Sequence, residues 1–374
     1  MNHSEGRSRH WDQGSDDVPR GARRATLKDI AASLGLSVNT ISRALAGKDA
    51  VSARTRALIE AEAERLGYVP NAMARSLVMG SAMALGLVIT NPSNPYYAML
   101  VSAIEQRSRL HGYSLVLMVT EENLDNERRA ATSLLRWGVD GAIVVPVQQG
   151  AEHWRRLRDS GMPLILVNRD LPELDCDFVG LDYEGSTYRA TCQLLDGDVS
   201  RILLLEEDLP ISSVDDRIKG FRRALQERGI SNGTIIRVPT RRRKSSTLPW
   251  DPTDAYILAK NIVLELEPKS AVMVGNDYFA LGVYRALLEA GRSIPGQVAV
   301  MGYGDHPFSA YLNPPLSSVQ LPATEIGTTA ADLLLQRLSN LQDPRKAQKV
   351  QLQPTLVVRA STSGSGRPLN DGPP

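Results

Sequence analysis

Asn39 and Arg43 stand in the stretch TLKDIAASLGLSVNTISRALA that runs from Thr26 to Ala46. At about 100° per residue a helix carries both on one face, opposite Ile41 and Leu45. Those two residue types can read base edges: an amide bonds adenine at two points and a guanidinium forks onto guanine. Thr40 and Ser42 could bond phosphate oxygens, as could the helix N-terminus. Val38 leads the same helix and either meets a thymine methyl or joins the apolar edge. A second polar set lies further along, in short loops that follow β-branched runs. It comprises Asn91–Tyr97 (NPSNPYY, with Ser93, Tyr96 and Tyr97), Asn168 and Arg169, Arg217, Asn276 and Asp277, and Asp305. Amides, carboxylates, a guanidinium and a tyrosine face suit a hydroxylated ligand, whose hydroxyls donate to Asp and accept from Asn or Arg.

Particular elements must hold these groups in place. Thr26 can cap a first helix, with Asp29 as its capping-box partner, and Ile30 and Leu34 recur on one face. Gly35 supplies the turn, Ser37 caps the second helix, and small Ala31 lets the two cross closely. The result is a helix-turn-helix. Ser52 caps a third helix over Ala53–Leu66, expected to turn Leu58 and Leu66 inward. After GYVP, Asn71 can cap a helix of about two turns, which forms only when something holds it. Its Leu77 is a candidate wedge for a minor-groove base step.

From about Ala84 the pattern changes. Short apolar runs at Leu85–Ile89, Leu115–Val119, Gly141–Val145, Leu164–Val167, Phe178–Leu181, Ile202–Leu205, Ala271–Val274 and Val298–Met301 alternate with helical stretches. The latter include Pro95–His111, Asn126–Trp137, Asp216–Arg228, Asp254–Leu266 and Tyr278–Ala290. Apolar strands between helices argue for parallel sheets covered on both faces, here in two α/β lobes. Ligands of such lobes bind at the carboxyl ends of the strands, where the polar loops fall. The basic run of Thr240–Asp251 reads as a solvated loop.

The whole chain has 374 residues with 43 basic and 42 acidic side chains, so its balance hides a local excess. Between Arg20 and Gly80 there are ten basic and five acidic residues, a small basic module on a mildly acidic body. No apolar stretch approaches the ~20 residues of a membrane helix, and the N-terminus has no apolar signal region. Cys176 and Cys192 read as free thiols in a reducing cytoplasm, and no metal site or cofactor is expected.

Residues 26–80 closely resemble the DNA-binding headpiece and hinge of the LacI/GalR (lactose-repressor) family of bacterial regulators. The body resembles that family's periplasmic-binding-protein-like core. The matching pieces include LGLVITNPSNPYYAML, GVDGAIVVP, PLILVNRDLP, DRIKGFRRAL, VGNDYFALG, VAVMGYGD and YLNPPLSSVQ, in the family's order and spacing over roughly Ala25–Ser361. The resemblance implies an all-α helix-turn-helix headpiece with a hinge helix, then a two-lobed α/β core of parallel sheets flanked by helices. Its divisions are a disordered tail at 1–24, the DNA-binding domain at 25–69, the hinge helix at 70–80, the effector-binding and dimerisation core at 81–361, and a second tail at 362–374. It implies that Val38, Asn39 and Arg43 read bases and that Leu77 intercalates. It also assigns the polar loops to an effector cleft between the lobes. One departure concerns that cleft: many relatives carry an effector-holding acid where this chain has Gly304.

The expected function is sequence-specific transcriptional regulation, as a repressor, by a cytoplasmic homodimer on a near-palindromic operator. A small effector, a sugar or sugar derivative, would modulate operator affinity. An alternative is a solute-binding protein with the same body, which should carry a signal peptide and no helix-turn-helix. Catalysis is disfavoured, since no phosphate loop, HExxH or GxSxG motif is present.

Overall fold

The computed structural model describes residues 25–45, 51–68, 81–197, 199–239, 252–340 and 346–362. Leu77, the hinge helix, the tail at 1–24, residues 363–374 of the second tail and the basic run of Thr240–Asp251 lie outside the described residues; Thr362, expected in that second tail, is instead half-buried and shares a 2.7 Å hydrogen bond with Ser317. The chain divides between Gly80 and Ser81 into two compact units.

The first unit holds α1 (Leu27–Leu34), α2 (Val38–Leu45) and α3 (Ala53–Arg65). The Thr26 main-chain N–H donates to the Asp29 carboxylate at 2.7 Å, and the Thr26 hydroxyl donates to the same group. Gly35 ends α1 with φ +67°, a left-handed conformation that glycine adopts without penalty. Ser37 accepts from the Thr40 N–H at 3.1 Å, and Ser52 accepts from that of Thr55 at 3.2 Å, so both later helices begin on serine caps. Ile30, Ala31, Ile41, Ala44, Ile59 and Ala63 form the core. One expectation fails here. Leu58 is 55% exposed, because the inward line of α3 runs through Ile59 and Ala63, one residue out of phase; Leu66 sits beyond the helix as its half-buried cap. Glu62 joins α1 to α3 by accepting from Ser33 and from Arg65, and these hydrogen bonds, Arg65's above all, pull its carboxyl down to about 2.

The second unit contains two six-stranded sheets. The first sheet runs β11-β5-β4-β3-β1-β2, from β1 (Ala84–Ile89), β2 (Ser114–Val119), β3 (Gly141–Val144), β4 (Leu164–Val167), β5 (Asp177–Leu181) and β11 (Lys349–Leu352). The second runs β12-β10-β9-β8-β6-β7, from β6 (Arg201–Glu207), β7 (Gly233–Val238), β8 (Ser270–Val274), β9 (Val298–Gly304), β10 (Ser317–Gln320) and β12 (Thr355–Val357). All pairings are parallel except β10 with β12. Alternation along the strands sorts side chains to two faces. Leu203, Leu205, Val272 and Val274 enter one core, whereas Ile202, Leu204, Ala271 and Met273 enter the other.

The helices are α4 (Pro95–Leu110), α5 (Leu124–Trp137), α6 (Glu152–Asp159), α7 (Tyr183–Leu195), α8 (Ser212–Glu227), α9 (Thr253–Val263), α10 (Asp277–Glu289) and α11 (Ala323–Ser339). The chain passes between the lobes three times: β5 to α7, β10 to α11, and β11 to β12. Arg189 joins two of these passages, reaching the Gln353 side chain at 3.3 Å, the Pro354 carbonyl at 3.4 Å and Asp182 at 3.5 Å. The last segments are fastened to the first lobe by charge. Arg337 of α11 forks onto Asp177 of β5 with both bonds at 2.7 Å, and Asp177 also accepts the Gln348 N–H at 2.7 Å.

Helix α8 crosses α7 so closely that a Cβ on Gly220 would lie 2.1 Å from the Glu184 carbonyl oxygen and 3.0 Å from the Tyr188 nitrogen. Both are backbone atoms and cannot rotate away. Gly220→Ala is therefore expected to destabilise the core by about 1–3 kcal/mol, despite alanine's better helix propensity. Urea unfolding checks this, and an unchanged midpoint would show that the crossing gives way.

Candidate functional site

In the first unit the outward face of α2 presents Val38, Asn39 and Arg43, all exposed, while Thr40 and Ser42 are half-buried beside them. Ile41 and Ala44 anchor the opposite face in the core. Val38, at 40% exposure, stands at the tip of the helix rather than within its apolar edge. The hydroxyls of Thr40 and Ser37 share a hydrogen bond at 2.8 Å in which either can donate. The face therefore offers an amide and a guanidinium on a rigid, capped helix.

In the second unit a cleft opens between the carboxyl ends of the two sheets. Of the residues expected there, Tyr96, Tyr97, Asn168, Arg217 and Asn276 line it. Asn94 caps α4 by accepting from the Tyr96 N–H at 3.0 Å, which seats both tyrosines in the first turn. The Tyr96 hydroxyl donates to the Asn168 amide oxygen at 2.7 Å, leaving the amide hydrogens of Asn168 unspent. Asn276 caps α10 by accepting from Tyr278 N–H at 3.0 Å, so it too keeps its NH₂ group.

Three expected residues are placed elsewhere. Ser93 is exposed and donates its hydroxyl back to Asn91 at 2.8 Å. Asp277 is wholly buried beneath the strand ends, where it accepts from Ser318 at 2.8 Å, from Ser309 at 2.7 Å and from the His306 N–H at 2.8 Å. Its carboxylate orders the loop after β9 and does not line the cleft. Asp305 turns away onto Arg359 at 2.6 Å and Gln320 at 3.2 Å. None of the three is among the lining residues.

Arg169 and Gly304, both noted in the sequence, line the cleft as well; sequence reasoning passed over Tyr183, Glu207, Tyr303 and His306, which also line it. Tyr183 lies two residues after the end of β5 and Tyr303 is next to last in β9, so their position at strand ends was the available signal. Glu206, next to last in β6, and Glu122, three residues after β2, which pair with the cleft arginines, carried the same signal. Arg169 forks onto Glu122 at 2.8 and 2.7 Å, and Arg217 onto Glu206 at 2.7 and 2.8 Å. All four side chains are buried. Burial disfavours each guanidinium's charge, but the carboxylate beside it outweighs that and raises both arginines above their ordinary range. Arg217 also lies 5.2 Å from the Tyr303 ring centre and 5.7 Å from that of Tyr183. Burial pushes the Tyr303 phenol up to about 12, so it stays protonated, sharing a 2.8 Å hydrogen bond with Ser186.

Gln148 bridges the lobes. Its NH₂ group donates to the Asp170 carbonyl at 2.9 Å and to the Ser212 hydroxyl at 3.0 Å, and its carbonyl accepts the Ser212 N–H at 2.8 Å. Ser212 opens α8, the helix that carries Arg217.

Comparison with known proteins supplies the family. Residues 26–71 match the model described as bacterial regulatory proteins, lacI family, and residues 193–362 match a periplasmic binding protein-like domain. Catabolite control protein A of Priestia megaterium is 30% identical over 341 residues, covering 90% of this chain and 99% of that protein. The chain belongs to the lacI family. The ribose operon repressor of Escherichia coli is 29% identical over 340 residues, again covering 90% of this chain and 99% of the relative. A lac repressor dimer bound to operator and the anti-inducer ONPF shares the fold, with a TM-score of 0.78 at 23% identity over 91% of this chain and all of that one. This lacI-family member is thus a DNA-binding transcriptional regulator and not an enzyme. Among its described residues no helix is long and apolar enough to cross a membrane.

Two predictions follow from the charges in the cleft. Arg217→Ala strands the Glu206 carboxylate in the interior and is expected to cost about 3–5 kcal/mol in urea unfolding. A loss under about 1 kcal/mol would mean that water reaches Glu206 freely. The second concerns His306, which burial holds below its usual 6.5, against the weaker opposing pull of Asp277 and Asp305. Below 6.5 the unfolded chain binds a proton that the folded core resists, so His306 contributes stability that is complete above 6.5 and lost as pH falls. His306→Gln should therefore lose less stability than the parent between about pH 7.5 and 5.5; parallel losses would refute the assignment.

Proposed function

We propose that the chain is a repressor acting as a homodimer in the cytoplasm, with two headpieces reading a near-palindromic operator. Asn39 and Arg43 of each α2 read base edges, Val38 touches a thymine methyl, and Thr40, Ser42 and the helix N-terminus hold phosphates. Leu77 serves as the wedge in the minor groove. The cleft of the second unit takes a small carbohydrate effector, held by Tyr96, Tyr97, Asn168, Arg217 and Asn276. The ribose operon repressor, named for a sugar, is consistent with that ligand class. The observation that carries the reading is that one chain combines the exposed amide–guanidinium face of α2 with a cleft whose charges are already paired. The paired charges leave hydroxyl recognition to amides, phenols and the spare N–H groups of arginine. Effector binding alters the angle between the lobes, and the coupling to operator affinity is of the usual order, about 1–3 kcal/mol.

Genomic fragments selected by the purified protein provide the test. Arg43→Ala should weaken the selected site by about 1–3 kcal/mol and relax its base preference, and Leu77→Ala should weaken it and reduce the bend. Binding by the parent should also fall steeply with salt as counterions are released. Unaltered affinity in both variants would remove the assigned roles of the two residues.

A further inference from the structure

His306 is 2% exposed at the wall of the cleft, and neither of its ring nitrogens has a hydrogen-bond partner. It is the one described residue with two such buried atoms. The ring is boxed in by Tyr278 at 5.6 Å and Phe308 at 5.8 Å, centre to centre, while its main-chain N–H is committed to Asp277. Its position depends on Gly304. A Cβ there would lie 3.1–3.4 Å from three atoms of the imidazole, and the φ of +127° disfavours any side chain. The missing side chain at 304 and the ring at 306 are therefore two aspects of one arrangement.

Buried polar atoms without partners are costly, and ligand-binding walls are where such atoms find one. A neutral imidazole has one donor and one acceptor, the same pairing that a hydroxyl offers, whereas a carboxylate or phosphate oxygen only accepts. The cleft's guanidiniums offer an anion no net charge, since Glu122 and Glu206 already fork onto them, and Glu207 adds a further acid to the lining. We propose that His306 is a specificity-determining residue of the cleft: lodged in the place Gly304 leaves open, its imidazole exchanges a hydrogen bond with one hydroxyl of an uncharged polyhydroxylated ligand. This rests on the carbohydrate-effector reading above and names the group that selects among such ligands.

Calorimetry on the full chain tests it, with D-ribose, D-glucose, D-galactose, their single-deoxy analogues, ribose 5-phosphate, glucose 6-phosphate and gluconate as probes. The preferred sugar should be uncharged. His306→Leu should weaken it by about tenfold or more, while one deoxy analogue binds parent and variant alike. The melting temperature of ligand-free His306→Leu should be no lower than the parent's, because the substitution removes two unpartnered polar atoms. Equal affinity of parent and His306→Leu for every sugar overturns the proposal, as does tighter binding of a phosphate or acid than of its neutral sugar. Should His306→Leu fail to fold, His306→Gln decides: its amide reaches differently, so an unchanged ranking of the deoxy analogues overturns the proposal. If no probe binds the parent, the carbohydrate reading itself fails and takes this one with it.

Discussion

A charge removed from water must be matched, and in the core of this protein that requirement governs the cleft. Parallel sheets covered by helices leave only the ends of their strands for polar chemistry. Two arginines reach those ends, and each brings a buried carboxylate with it: Glu122 for Arg169 and Glu206 for Arg217. The forks hold the guanidiniums still and neutralise them, so a ligand in the proposed site would meet shape and hydrogen-bond pattern more than charge. Tyr183 and Tyr303 stack 6.5 Å apart beside Arg217, giving one wall an apolar face.

The headpiece follows a different economy. It is too small for a large core, and it relies on three short helices with side-chain caps at their starts and small residues where they cross. Ala31, Ala44 and Ala63 sit among Ile30, Ile41 and Ile59, so the helices approach closely and fix the outward face of α2. In the role proposed for Asn39 and Arg43, the rigidity of that face would let the two side chains address base edges with a defined register.

Much of this was legible in the residues. The eight apolar runs all became strands, seven of them interior and one, β2, a half-exposed edge, because continuous Val, Ile and Leu stretches favour a sheet covered by helices. The edge strands β7, β11 and β12 escaped notice, since a half-exposed run such as Lys349–Leu352 mixes polar and apolar residues, and so did interior β10, whose Ser317–Gln320 is mostly polar. In the cleft, loops after strands pointed to the right neighbourhood but not to the direction of each side chain. Asp277 and Asp305 looked like ligand groups in the sequence. One orders a loop and the other meets Arg359, a partner 54 positions away that spacing could not reveal. His306 was hidden for the opposite reason: its meaning lies in partners it lacks, which only three-dimensional packing exposes.

The three passages between lobes carry a consequence for how the molecule comes into being. The first sheet is not made from consecutive sequence; α11 and β11 reach it only after nearly all of the second sheet has been laid down. A nascent chain leaving the ribosome would therefore hold an unfinished first lobe, with the edge of β5 uncovered and Asp177 waiting for Arg337, while its neighbour assembles. No contiguous stretch of chain holds either sheet whole without strands of the other, and the cleft they enclose is complete only once the final strands have returned to both sheets.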